Sequence, residues 1–299
     1  MDYRFKRITA LILSLLLLMT ITGCAQDKST AVTTAPTAAP KQLRNGLQTF
    51  LIASLKEFTP VGNSLAYRNS SKADMLMLMV LDESSKTITS LQLNPDTLVS
   101  FTPQGTHDAL EIPLGETYSY GSGGSDSCLN LMKSMSSLLG GVSLQHYMFF
   151  TLDAVGIVND LIGGVDVEIT DDIPGFTKGE TVHLSGSATT DYFDFRAASD
   201  VDNSGHMGRQ QQYIAKSYTP FTQNMQQENF LTRLTVKLGE RMDTDMTLSQ
   251  MAQLMELMGS CTLDETIHTL SGTAEAADGQ FRFRADADSV NSTLDTLFF

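Results

Sequence analysis

Residues 193–216 read F-D-F-R-A-A-S-D-V-D-N-S-G-H-M-G-R-Q-Q-Q-Y-I-A-K. Arg196 and Arg209 flank a loop of Asp, Asn, Ser and Gly, and a long Gln-rich helix begins at about Gly205. An arginine site for an anion at a helix start is spelled this way, and so is an ordinary capped polar helix. Gln210, Gln211 and Gln212 are consecutive, and a helix turns by 3.6 residues, so the three amides point in different directions.

Working outward, Met75-Leu-Met-Leu-Met-Val-Leu81 is a continuous apolar run with the length of a strand buried on both faces. Asp82 to Lys86 is a turn, and Ile88 to Leu93 a second strand, so the two form a hairpin or an adjacent pair. After the glycine-rich loop Tyr120-Gly-Ser-Gly-Gly124 come a helix from about Asp126 to Leu139 and a strand from His146 to Phe150. Asp153 to Leu161 is a short helix stopped by Gly163-Gly164, and Val165 to Ile169 alternates as a half-exposed strand. Ser185-Gly186 opens another helix. Asn229 to Arg241, Thr247 to Met258 and Ser289 to Phe298 follow as helices, with a strand at Phe281 to Phe283. Strands alternating with helices predict an α/β sandwich, with neither an internal repeat nor a second domain boundary.

The N-terminus is of a different kind. Arg4, Lys6 and Arg7 precede an apolar run from about Ile8 to Ile21, shorter than the roughly 20 residues a membrane span needs. The run ends in Ile21-Thr22-Gly23-Cys24, the pattern of a bacterial lipoprotein signal in which the Cys24 thiol receives a diacylglycerol. Two acyl chains give the double anchor that stable membrane attachment requires. Residues 1–23 are therefore expected to be removed. Residues 24–46, with their Thr, Ala and Pro, are expected to be a disordered tether, and 47–299 the folded domain.

Loss of the signal removes three cations and one anion, taking the formal charge from −14 to −16. Nucleic-acid binders need a basic footprint, so nucleic acid is excluded as a partner, and so is broad adhesion to anionic lipid. Cys128 and Cys261 are the other thiols, too few for a disulfide framework or a metal site, and both fit buried apolar positions.

Two carboxylates stand at strand ends. Asp74 precedes the first strand and Asp96 follows Asn94-Pro95 after the second; if the strands are neighbours, the pair can share Mg²⁺. Each alone is also an ordinary turn or cap residue. Arg68, Lys72, Arg196 and Arg209 are the basic candidates, arginine being suited to phosphate by its planar fork. The loop Gly121 to Gly124 matches neither phosphate-loop pattern, and no H-E-x-x-H or G-x-S-x-G occurs.

In order and spacing, these pieces resemble the LytR-CpsA-Psr family of cell-envelope proteins. They are Ala73-Asp74-Met-Leu-Met-Leu, Leu93-Asn-Pro-Asp96-Thr97, Tyr120-Gly-Ser-Gly-Gly124, Leu138-Leu-Gly140 with the strand His146 to Phe150, and Ile162-Gly-Gly-Val-Asp-Val167. The most specific is Phe195-Arg196 through Gly205-His-Met-Gly-Arg209-Gln-Gln-Gln212. The resemblance implies a mixed-sheet α/β/α sandwich with a long apolar lipid pocket, lipid-anchored on the extracytoplasmic face of the membrane of a mostly Gram-positive group. It implies transfer of a glycopolymer from an undecaprenyl-pyrophosphate carrier to peptidoglycan. Asp74 and Asp96 would hold Mg²⁺, and Asp96, Arg196 and Arg209 would be catalytic. Arg68, Lys72, Gln210 and Gln211 would contact substrate.

The chain departs from the family pattern at charged positions. Pro-Arg-Asp-Thr becomes Asn94-Pro95-Asp96-Thr97, Arg-Ser-Asp becomes Lys72-Ala73-Asp74, and Arg-x-Arg becomes Asp194-Phe195-Arg196. Asn203 and His206 stand for an aspartate and an arginine, and Phe50 to Phe58 has no clear Leu-Gly-x-Asp. A preorganised donor facing the transition state is worth roughly 2.7–4 kcal/mol. A degenerate relative that binds polyprenyl-phosphate lipid or a partner enzyme without turnover is therefore the alternative, and a lipoprotein of this fold with an unrelated binding role the third.

Overall fold

The computed structural model describes residues 44–58 and 68–299. The signal segment, Cys24 and the tether up to residue 43 lie outside the described residues. The first half of the described chain holds β1 (Leu47–Leu55), β2 (Ala73–Asp82), β3 (Thr87–Leu93), β4 (Leu98–Phe101), β5 (Leu110–Pro113), α1 (Ser125–Leu138), β6 (His146–Thr151), α2 (Leu152–Ile162) and β7 (Val165–Glu168). The second holds β8 (Thr181–Leu184), α3 (Gly186–Asp194), α4 (Ser204–Met225), α5 (Phe230–Leu238), β9 (Met242–Thr244), α6 (Leu248–Gly259), β10 (Thr262–Thr269), β11 (Gly272–Ala277), β12 (Gln280–Ala285) and α7 (Ala287–Phe298).

A six-stranded sheet in the order β10-β3-β2-β1-β6-β9 forms the middle layer. It is mixed: β1 pairs antiparallel with β2 and parallel with β6, while β10 runs parallel to β3. β2 and β3 are the expected hairpin. β1 is absent from the sequence reading, yet it lies between β2 and β6. Its polar Thr49 and Ser54 interrupt the apolar signal, and both are buried. Edge strand β10 is also missed, because Thr-Leu-Asp-Glu-Thr-Ile-His-Thr carries the polarity of a half-solvated edge.

The sheet buries both faces. On one, Leu51, Ala53, Leu76 and Leu78 pack with Leu131 and Met135 of α1 and Leu297 of α7. On the other, Met75 and Met77 pack with Leu152 of α2, Tyr192 of α3, Tyr213 of α4 and Phe230 of α5. Period-two alternation divides each strand between the two layers, which makes β2 apolar along its length. Cys128 and Cys261 are both free thiols; Cys128 is buried and Cys261 partly exposed. Among the described residues no helix is long and apolar enough to cross a membrane.

Candidate active site

β1 and β3 end, and β2 begins, at the same edge of the sheet, because β2 is antiparallel to both. Three connections therefore open there side by side: Lys56 after β1, Lys72 to Asp74 entering β2, and Pro95 with Asp96 after β3. With Arg196 and Asn203 they line a polar cleft of about 450 Å³.

Asp74 owes its direction to a bulge. In the β1–β2 ladder Ser54 faces Met75 and Leu55 faces Ala73, so Asp74 is the unpaired extra residue. A bulge bends the strand and re-aims a side chain. Asp74 accepts from Gln210 Nε2 at 3.3 Å, and His206 Nε2 lies 3.4 Å from the same oxygen. Gln210 Oε1 in turn accepts from Gln92 Nε2 at 2.8 Å. His206, Gln210 and Gln92 are buried, so this side of the cleft is a hydrogen-bonded wall.

Asp96 is set by Asn94. Asn94 Oδ1 accepts from the Asp96 backbone N–H at 3.0 Å, closing a short turn, while its Nδ2 donates to the Asp202 carbonyl at 2.9 Å. One amide thus joins the β3 loop to the start of α4. Gly115 closes the other side. Its N–H donates to the Pro95 carbonyl at 2.8 Å, and a Cβ there would lie 2.5 Å from the Ala73 carbonyl oxygen. Only glycine lets the backbone come this near both aspartate-bearing segments.

Arg196 follows α3 and brings its Nη1 to 2.7 Å from Asp96 Oδ2. The oxygen is buried without an aligned N–H, so the contact is a close ion pair rather than a well-directed hydrogen bond. Arg196 is fixed by donating Nε and Nη2 to the Asp200 carbonyl, and its guanidinium stacks 4.3 Å from the Phe281 ring of β12. Burial pushes the Asp96 carboxyl above its ordinary range; Arg196 opposes this and the Asp74 charge adds to it. Burial and Asp74 likewise raise Asp194, which Lys56 draws back.

The other sequence candidates go elsewhere. Arg209 is buried, but its Nη1 pairs with Asp171 at 2.5 Å and its Nη2 donates to the Phe195 carbonyl, so it braces the α3–α4 loop and does not line the cleft. Arg68 pairs with Glu116 at 2.5 Å and lies over the Tyr120 ring, also off the cleft. Lys72 lines the cleft and pairs with Glu116 at 3.1 Å. Gln210 holds Asp74, whereas Gln211 lines a neighbouring cleft with Asn94, Thr269 and Phe283, and Gln212 accepts from the Tyr192 hydroxyl. The three amides do diverge. Lys56 and Asn94 were missed. A lysine after an unrecognised strand carries no sequence signal, and Asn94 reads as an ordinary turn residue.

Below the cleft, on the α2–α6 side of the sheet, lies an apolar cavity of about 230 Å³. Met75, Met79, Phe150, Val158, Ile214 and Met255 are among its lining residues. Methionines, flexible and polarisable, make up much of this lining.

Among the described residues no group of three or more His, Cys, Asp or Glu side chains is placed to hold a metal. Asp74 and Asp96 nonetheless fit Mg²⁺, which keeps most of its water and takes one or two carboxylates. The undirected buried oxygen of Asp96, and the repulsion it shares with Asp74, are what a divalent cation would relieve.

A family model described as LytR_cpsA_psr family matches residues 25–298. No curated protein matches the chain by sequence. Among solved structures, TagV of B. subtilis is 18% identical with a TM-score of 0.64, covering 85% of this chain and 96% of its own. TagT bound to LI-WTA is 15% identical with a TM-score of 0.64, over 87% and 93%. Protein gbs0355 from Streptococcus agalactiae is 13% identical with a TM-score of 0.68, over 84% and 86%. At these identities the likeness is one of fold.

Proposed function

The chain belongs to the LytR_cpsA_psr family, and from that premise we propose that it transfers a glycopolymer from an undecaprenyl-pyrophosphate carrier to a peptidoglycan hydroxyl. One observation carries this reading. Asp74 belongs to the polar cleft, and Met75, the next residue, lines the apolar cavity. A substrate with a pyrophosphate head and an apolar tail requires such a junction. The complex of TagT with LI-WTA supports a polymer-bearing substrate for this fold.

The sugar hydroxyl attacks the phosphorus next to the polymer. A phosphodiester forms, the pyrophosphate P–O bond breaks, and polyprenyl phosphate leaves, taking up the proton of the hydroxyl. Arg196, pinned by Asp200 and Phe281, keeps a fixed positive charge at the wall where negative charge grows. Gln210, backed by His206, holds Asp74 in place, and Asn94 holds Asp96. Mg²⁺, held by Asp74 and Asp96, would neutralise the pyrophosphate. The acylated Cys24 would keep the domain on the outer face of the membrane, beside carrier and wall.

A second reading is binding without turnover. It is favoured by the buried wall of His206, Gln210 and Gln92, whose members bond one another at 2.8 Å where a freely placed cation is expected.

The test uses the full chain in detergent with Mg²⁺, a polyprenyl-pyrophosphate-linked oligosaccharide and a peptidoglycan fragment. Phosphodiester-linked product with release of polyprenyl phosphate is the expected result. Tight binding of the carrier without product overturns transfer and leaves the second reading. No binding overturns both.

A further inference from the structure

We propose that Lys56 is the residue that receives the pyrophosphate in this chain, standing at the end of β1 beside the Asp74 bulge. The inference rests on the reading of the cleft as a pyrophosphate site and names the cation that serves it.

Among the described residues three cations line the cleft, Lys56, Lys72 and Arg196, against three carboxylates, Glu57, Asp74 and Asp96. With the charges balanced, no excess positive charge draws an anion in. What matters is which cation can leave its present contacts for a ligand. Lys72 is tied to Glu116 and Arg196 to Asp96. Outside the lining, Arg68 is spent on Glu116 and Arg209 on Asp171. Among the described residues, Lys56 is the cleft-lining cation that makes no ion pair, and it is exposed.

Its place is fixed by the sheet. Leu55, just before it, is buried and pairs with buried Ala73 across the bulge, so the Lys56 backbone is anchored directly beside a core position. A flexible four-carbon stem on an anchored backbone can swing to a phosphate that arrives at Asp74.

Asp194 gives an independent indication. It ends α3, where a negative charge is disfavoured by the helix dipole, and it is half-buried near Asp74. Lys56 is the largest influence that stabilises its charge. The end of α3 thus carries a half-buried carboxylate beside the cleft that Lys56 lines. The two form no ion pair, but the Asp194 charge attracts Lys56 and would compete with an arriving anion for it.

The experiment is titration calorimetry of the full chain in detergent with inorganic pyrophosphate and Mg²⁺. Lys56→Met is expected to weaken binding about tenfold, the worth of one charge-assisted contact. Lys56→Arg is expected to stay within about threefold of the parent, because charge and reach are kept. Asp194→Asn is expected to tighten binding about threefold by removing the competitor. Undiminished binding by Lys56→Met, with unchanged melting, overturns this inference alone. If the parent protein binds no pyrophosphate, the reading of the cleft fails and the inference with it.

Discussion

Arg196 and Asp96 meet at 2.7 Å although one follows α3 and the other follows β3. Asp96 is held above its ordinary range by burial in spite of that partner. The pair thus combines a fixed cation with a carboxylate left short of directed donors. Arg196→Ala should reduce the transfer rate about 10²–10³-fold, the usual worth of one preorganised charged donor. A loss of only a few-fold in single-turnover assays would assign Arg196 to loop structure instead.

Asp194 predicts a pH effect. Its folded-state value is raised above the ordinary 3.8 by burial and by Asp74. The stability it contributes is fully present below pH 3.8 and is lost as pH rises through the raised folded value. At neutral pH the ionised group is therefore destabilising. Asp194→Asn should raise Tm at pH 7 by about 1–2 °C, a small gain because the group is half-exposed, and should give none below pH 4. Melting curves at the two pH values test this.

Gly115 predicts a coupled defect. Its added Cβ would lie 2.5 Å from the Ala73 oxygen and 3.1 Å from Pro95 Cβ, forcing apart the segments that carry Asp74 and Asp96. Gly115→Ala should cost about 1–3 kcal/mol in denaturant titrations and weaken Mg²⁺-pyrophosphate binding in the protein that remains folded.

Arg209 predicts the opposite pattern. Its contacts are Asp171 and the Phe195 carbonyl, away from the cleft. Arg209→Met should lower stability by about 1–2 kcal/mol, since an ion pair to the exposed Asp171 and a loop brace are lost together. Pyrophosphate affinity per folded molecule should stay unchanged. A selective loss of affinity would restore Arg209 to the binding site.

The apolar cavity predicts a separation of tail from head. Val158 lines it from α2. Val158→Phe should fill part of the 230 Å³ with little change in Tm, abolish binding of a long-chain polyprenyl phosphate, and leave inorganic pyrophosphate binding intact. Displacement of a fluorescent lipid measures the first effect and calorimetry the second.

Sequence by itself determined the architecture wherever local chemistry is loud. The apolar run Met75 to Leu81 demands a strand buried on both faces, and the glycines after α2 and the cap loop before α4 punctuate the helices. The spacing of those pieces marks the family, and the order of Gln210, Gln211 and Gln212 dictates that they diverge. Tertiary structure alone decided which charged groups meet. Arg209 and Arg196 lie on the same stretch, yet one ends on Asp171 and the other on Asp96, because Arg196 sits in the loop after α3 and Arg209 inside α4. Lys56 and Asp74 become neighbours through a strand ladder and a one-residue bulge. Periodicity is a local property and survives in the sequence. Convergence of charges depends on register between distant strands, and no short stretch encodes it.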